Sequence, residues 1–371
     1  MKKILYLWLL CAAFFTACND DDKDVITPDN IKMLVVNQGL DGFGDLSAIY
    51  KDGTLEINAY EAANEIALKG TPHAINHIND KYFLTVSNPA KIEILNPKTL
   101  ESLGAITYDR VGKPRDILPI SSSEAIVSDS LNQLVKINTV TNSVMAYFTL
   151  PEEWRMEEIT IADNKLFGTH LDAPGIAVFD LNNMSNTPQR VIPVSINKNI
   201  KTCKIHTDKN NKVWIFSTGT KADKRSYAFW IKIDPATYKI DSVEIPFLKR
   251  GEEDLEIGSP VGATYNQSYL SSDGGTIYFT LQACARLSSG QGRLAVFALN
   301  VDNNSYKLYR NTPGVEKRLN GTGLSPEGEV YLCDENGTLA GFLRHFPSDE
   351  SISAVQVGVK PRMIWFPQTN K

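Results

Sequence analysis

From residue 33 onward, short β-rich apolar runs alternate with clusters of Asn, Asp, Ser, Gly and Pro, and a 3.6-residue period is almost nowhere sustained. That pattern predicts strands joined by tight turns. One stretch reads Ala74-Ile-Asn-His-Ile, Tyr82-Phe-Leu-Thr-Val, Lys91-Ile-Glu-Ile-Leu and Glu101 to Tyr108. The next reads Asp116-Ile-Leu-Pro-Ile, Ala125-Ile-Val-Ser, Gln133-Leu-Val-Lys-Ile and Ser143 to Leu150. Each is a unit of four strands, with Asn96-Pro-Lys-Thr or Asn138-Thr-Val-Thr-Asn turning between the third and fourth. The turn recurs at Asp180-Leu-Asn-Asn, Asp234-Pro-Ala-Thr and Val301-Asp-Asn-Asn. Asn and Asp suit it because they accept local hydrogen bonds and tolerate left-handed backbone.

First strands are expected near His73, Arg115, Glu158, Cys203, Gly262, Gly321 and Pro361, at spacings of 42, 43, 45, 59, 59 and 40. The two long units carry their extra length after strand two, at Ser217–Tyr227 and Leu281–Gly292. Pro361-Arg-Met-Ile-Trp-Phe reads as a first strand with nothing after it. Met33-Leu-Val-Val-Asn, Leu46-Ser-Ala-Ile-Tyr and Thr54–Tyr60 read as strands two to four with no first strand. Joined, the two ends complete a seventh unit. The expected fold is therefore all-β, a seven-bladed β-propeller over residues 32–371 with four antiparallel strands per blade, closed by the C-terminal strand. An open solenoid or two sandwiches would leave the complementary ends unexplained.

The chain has 371 residues, 42% hydrophobic and 22% charged, which excludes a disordered chain and a multi-span membrane protein. With 38 Lys+Arg against 43 Asp+Glu, it has no general attraction for nucleic acid. Residues 1–17 lie outside the propeller. Lys2 and Lys3, the apolar run Ile4 to Phe15, and Thr16-Ala17 before Cys18 describe a secretory signal, too short to span a bilayer. The stretch before Cys18 resembles a bacterial lipobox, with Phe15 where Leu is usual, which implies lipidation of Cys18 and anchoring by acyl chains alone. Residues 18–31 follow as an acidic tether that opens Asn19-Asp-Asp-Asp-Lys-Asp. Removal of residues 1–17 takes the formal charge from −5 to −7. Cys203, Cys284 and Cys333 remain, in no C-x-x-C pair, and at least one of them must stay unpaired.

Ser271-Ser-Asp-Gly-Gly-Thr-Ile-Tyr and Ser325-Pro-Glu-Gly-Glu-Val-Tyr resemble the turn of bacterial YVTN-type propellers, and the first also fits a loose sialidase Asp-box. The mature chain is similar in layout to propeller lipoproteins of Bacteroidetes, labelled surface-layer proteins, some of which capture corrinoids for a TonB-dependent transporter. The acidic tether resembles the tag that exports such lipoproteins to the outer face of the outer membrane. The resemblance implies a surface-exposed, lipid-anchored protein that binds a small or medium-sized ligand, corrinoid (vitamin B12) first, and hands it to that transporter.

Ligand residues are expected on the loop-rich face, where loops between strands two and three gather around the channel mouth. Gly70-Thr-Pro-His73, Gly112-Lys-Pro-Arg115 and Gly358-Val-Lys-Pro-Arg362 repeat one motif at the start of first strands. His73, Arg115 and Arg362 then form either a cationic arc for an anionic or amide-rich ligand, or ties between neighbouring blades through backbone carbonyls. Asn37, Gln38, Asn88, Asp129, His170, Gln282 and Asp334 supply hydrogen-bonding groups, and Phe43 and Trp154 aromatic ones. No nucleophile elbow, zinc-protease motif or phosphate loop is present, and no cofactor is implied. His73 and His77 name no third metal ligand. The acidic runs Glu157-Glu158 and Glu252-Glu253-Asp254 do not by themselves make a glycosidase's pair of carboxylates, because neighbouring acids point in different directions, and they are expected to be exposed loop charge. A non-enzymatic binder is the leading expectation. The alternatives are a hydrolase or lyase acting on carbohydrate or lactone, recognisable by acids or histidines converging at the mouth, and an adhesive scaffold.

Overall fold

The computed structural model describes residues 30–170, 175–194, 204–220, 226–248, 258–263, 268–284, 293–312, 319–335, 340–347 and 351–367. Seven antiparallel sheets form the blades. Their inner strands, in ring order, are Pro361–Trp365 (blade 1), Thr71–Ile78 (blade 2), Pro114–Pro119 (blade 3), Met156–Ala162 (blade 4), Ile205–Thr207 (blade 5), Pro260–Ala263 (blade 6) and Leu319–Leu324 (blade 7). Blade 1 is built from both chain ends. Leu34, Val35 and Val36 pair with Trp365, Ile364 and Met363. The C-terminal segment thus covers a sheet edge that would otherwise stand open.

The apolar runs exist because most strands are buried on both faces. Phe83, Ile92 and Ile94 of blade 2 pack against Ile117, Val127 and Val135 of blade 3. Their neighbours Tyr82, Leu84 and Val86 pack the other way, against Leu34, Val36 and Leu46 of blade 1. In blade 3, Ile126 and Leu134 turn toward Met156, Ile159 and Leu166 of blade 4. Between blades 5 and 6 lies the bulkiest seam, where Trp214, Trp230 and Phe216 meet Phe279 and Phe297. The last seam joins Tyr331, Cys333 and Leu343 of blade 7 to Met33, Val35 and Ile364 of blade 1. Core therefore runs as a ring of seams rather than one central mass.

The Asn/Asp turns behave alike. Asn138 Oδ1 accepts from the amides of Val140 and Thr141 at 2.9 and 2.8 Å, and Asp234 Oδ1 from Ala236 and Thr237 at 3.0 and 2.9 Å. Asn300 does the same with Asp302 and Asn303.

Two elements depart from expectation. The strand expected over Thr54–Tyr60 is only Leu55–Glu56, and a short helix, Ala59–Asn64, replaces its end. The Asp45 carboxylate accepts the amides of Tyr60 and Glu61 at 2.9 and 3.3 Å, which favours the helical turn. Tyr60 then reaches Glu93 of blade 2 at 3.1 Å. In blade 6 an extra strand, Tyr269–Leu270, pairs with Ile277 and Tyr278 beside the inner strand. Cys284 and Cys333 are free thiols, and Cys203 lies outside the described residues.

Candidate functional site

At the same place in successive inner strands, two residues oppose one. The register shifts between Pro72 and Ile75, between Pro114 and Ile117, and between Met156 and Ile159. Shorter shifts free Arg362 in blade 1, Val261 in blade 6 and Asn320 in blade 7. A bulge breaks the side-to-side alternation of a strand and re-aims its side chains. Hydroxyls from the second strands catch the amides so released. Thr85 accepts from Ala74 N–H at 3.0 Å and donates to the Arg115 carbonyl of the next blade at 2.8 Å. Ser128 accepts from Asp116 N–H at 3.0 Å and donates to the Glu157 carbonyl at 2.7 Å. Each hydroxyl pins one bulge and ties it to the next.

These bulges bring a charged network to the channel mouth. Arg115 Nε lies 3.4 Å from Glu157 and 3.1 Å from Ser130 Oγ. Arg362 of blade 1 donates to Glu158 of blade 4 at 3.2 Å, spanning blades as far apart as a seven-membered ring allows. Lys204, just before blade 5, sits 3.7 Å from Glu158 and 3.9 Å from Asp116. His73 meets Arg115 Nη1 at 2.9 Å and Gln38 Nε2 at 3.0 Å, both at Nδ1. Burial, then the two arginines, hold His73 well below the usual imidazole range. Burial and Glu158 push Asp116 up to about 6, against Lys204. Glu157 is likewise raised by burial, against Arg115 and Arg362.

The exposed-loop reading of Glu157-Glu158 is overturned. Both are buried, because the bulge at Met156–Ile159 turns them both inward to partner the channel cations. The residues 252–254 lie outside the described segments. Arg115 joins blade 3 to the neighbouring blade 4 and Arg362 joins blade 1 to the non-adjacent blade 4, each through a carboxylate, whereas His73 is neutral, bonds Arg115 and Gln38, and adds no charge to a cationic arc. Asp116, Glu157, Glu158, Lys204 and His206 were missed as site residues. One signal was available: Arg115 follows His73, and Glu157 follows Arg115, by 42 residues each.

The other expected residues divide. Gln38 and Asn88 line a cavity of about 370 Å³ with Gly39, Asp41, Gly42, Thr71 and Lys360. Asn37 and Phe43 line another of about 160 Å³ with Asp45, Ile57 and Gln356. Between the two stands the Gly39–Phe43 hairpin of blade 1. It is clamped on one side by Gly39 N–H to the Val359 carbonyl at 2.9 Å, and on the other by Gly44 N–H to the Gly70 carbonyl at 2.9 Å. Gly70 is required there: its φ is +130°, and a Cβ would stand 2.4 Å from Val86 Cγ1. Phe43 is 73% exposed at this hairpin, whereas Asn37 is buried and donates to Ser47 Oγ at 2.9 Å.

Trp154 corrects an expectation. It is 7% exposed and packs with Met156, Leu134 and Phe179, so it is core between blades 3 and 4 and not a rim aromatic. Asp129 is a buried turn-former, accepting from Lys113 and Leu131 amides at 2.7 Å each. Asp334 pairs with Arg344 at 2.5 Å inside blade 7. Gln282 is half-buried on the second strand of blade 6, and His170 ends the second strand of blade 4, its side chain outside the described set. His77 packs edge-on to Tyr82. A larger cavity, about 480 Å³, lies at the outer rim between blades 2 and 3, lined by Ile106, Asp109, Met145 and Tyr147, remote from the mouth.

No family model and no curated protein matches the chain. Solved structures do. A protein from Lactobacillus plantarum superposes with a TM-score of 0.60 at 12% identity, covering 91% of this chain and 100% of that one. Hydrazine synthase of Kuenenia stuttgartiensis gives 0.52 at 11% identity, over 78% and 96%. The dihydro-heme d1 dehydrogenase NirN, in complex with DHE, gives 0.50 at 10% identity, over 91% and 75%. The likeness is one of fold. At such identities chemistry has to be argued from this chain's own mouth, since one fold hosts many functions.

Proposed function

We propose that the protein is a lipid-anchored surface protein of the outer membrane that captures a ligand at the channel mouth and passes it to a TonB-dependent transporter. In this reading residues 1–17 are a cleaved signal, Cys18 carries the lipid, and residues 18–31 are the tether. One observation carries the ligand site: the cations are partly exposed while the acids paired with them are buried. Side-chain exposure is 22% for Arg115, 24% for Lys204 and 13% for Arg362, against 8% for Glu157, 7% for Asp116 and 5% for Glu158. The acids hold the cations in place while the more exposed groups stay positive, an arrangement suited to an oxyanion on the ligand. The neighbouring Gln38, Asn88 and Phe43 offer hydrogen bonds and an aromatic face to a neutral, amide-rich body. A corrinoid carries both kinds of group and is the first ligand to test.

Titration calorimetry with cyanocobalamin is the direct experiment, with haem and glycans as comparators. Binding without turnover is expected, at least tenfold weaker in the Arg115→Ala/Arg362→Ala variant and in Gln38→Ala/Asn88→Ala, a loss of about 1.4 kcal/mol. Cyanocobalamin that does not bind, or that binds both variants as it does wild type, overturns the reading. Cys18→Ala is expected to abolish incorporation of labelled fatty acid.

A second reading, a hydrolase or lyase of carbohydrate or lactone, is favoured by the convergence of Asp116, Glu157, Glu158 and His73 in one mouth. It requires turnover that falls by orders of magnitude in Glu157→Gln.

A further inference from the structure

We infer that the mouth binds its anionic ligand group together with protons, so that mild acidification strengthens capture and a rise in pH releases it. The inference rests on the mouth being the ligand site, but not on the identity of the ligand.

Five blades supply the charge that meets there. Blade 1 brings Arg362 and blade 2 brings His73. Blade 3 brings Arg115, Asp116 and Asp129, and blade 4 brings Glu157 and Glu158. Blade 5 brings Lys204 and His206. At the bulges of blades 6 and 7 stand the uncharged Val261 and Asn320, and Asn320 donates to the Glu335 carboxylate of blade 7 at 2.8 Å.

At neutral pH the cations Arg115, Lys204 and Arg362 face four acids, Asp116, Asp129, Glu157 and Glu158. A site with no excess of positive charge has little attraction for an anion. Acid shifts the charge in one direction only. Burial places Asp116 at about 6 and raises Glu157 and Asp129, so these carboxylates take up protons ahead of ordinary surface acids. His73 stays neutral, because burial and the arginines disfavour its charged form, and His206 stays neutral down to about 3. Each proton therefore removes a negative charge from beside the cations and leaves the more exposed groups positive. Reciprocity requires the converse: an anion docked on Arg115 and Lys204 draws protons onto Asp116 and Glu157.

Inorganic sulfate is the appropriate probe, because its own charge is constant across the range. Calorimetric titration at fixed ionic strength is expected to give a Kd roughly tenfold lower at about pH 5 than at about pH 7.5. Uptake of about half a proton per sulfate is expected at about pH 6, read from buffers of different ionisation enthalpy. Asp116→Asn and Glu157→Gln imitate the protonated forms. Each is expected to bind sulfate at the higher pH nearly as tightly as wild type does at the lower, with a flattened pH profile and an unchanged far-UV spectrum. Lys204→Gln is expected to weaken binding at the lower pH several-fold. Sulfate that fails to bind at either pH, a Kd independent of pH without proton uptake, or a wild-type profile in both acid variants overturns the inference. Should cyanocobalamin fail to bind while sulfate shows the expected proton linkage, the ligand assignment falls and the proton linkage stands.

Discussion

At the residue scale, His206 shows how burial sets a pH response. It is 7% exposed, bonded to Ser268 Oγ at 2.7 Å, and held at about 3 by burial and then by Lys204. The unfolded chain protonates this imidazole below about 6.5 while the fold does not. Its contribution is therefore present above about pH 6.5 and is lost as pH falls toward 3. Asp45 and Asp116, both raised to about 6, act oppositely: the fold holds protons that the unfolded chain releases, so their contribution is full below about pH 4 and lost as pH rises through 6. Between these limits the two effects offset. His206→Gln keeps a partner for Ser268 and removes only the acid-labile part. Urea melts at about pH 7 and about pH 4.5 are expected to show this variant gaining up to about 2 kcal/mol on wild type at the lower pH.

At the element scale, the repeated bulge is the structural unit of the mouth. Ser128 illustrates its economy, since one hydroxyl accepts the Asp116 amide and donates to the Glu157 carbonyl. Ser128→Ala leaves a buried amide and a carbonyl without that partner. The expected loss is about 1–3 kcal/mol in chemical denaturation, with displaced Asp116 and Glu157 and weaker ligand binding. The bulge also explains what sequence could not deliver. Turn chemistry and apolar runs announce their strands directly, so blades 2 and 3 were legible to within three residues. Glu157-Glu158 reads as exposed loop charge because nothing local announces the bulge that turns both acids inward. The helix Ala59–Asn64 escaped for a related reason: Asp45, distant in sequence, supplies the carboxylate at its start.

At the scale of the whole molecule, closure decides stability. The seam of Met33, Val35, Tyr331, Cys333, Leu343 and Ile364 is the joint where the two chain ends meet. Ile364, 5% exposed, sits on the closing strand opposite Val35. Ile364→Ala is expected to cost about 2–5 kcal/mol with an unchanged urea m-value. Loss of closure without loss of the other blades would instead appear as a second, separate transition. The ring also makes the site, because Arg362 and Glu158 face each other only when blade 1 is complete.

Periodicity, turn residues and complementary ends determined the number of blades and the way they close, because those signals are local and repeat in every unit. Candidate cations were visible for the same reason, at matching positions of the repeat. Their partners, their burial and the proton affinity of the acids beside them were decided only by tertiary structure. Charges contributed by five blades meet across a closed ring, and Coulomb interaction and desolvation depend on distances in space that spacing along the chain does not specify.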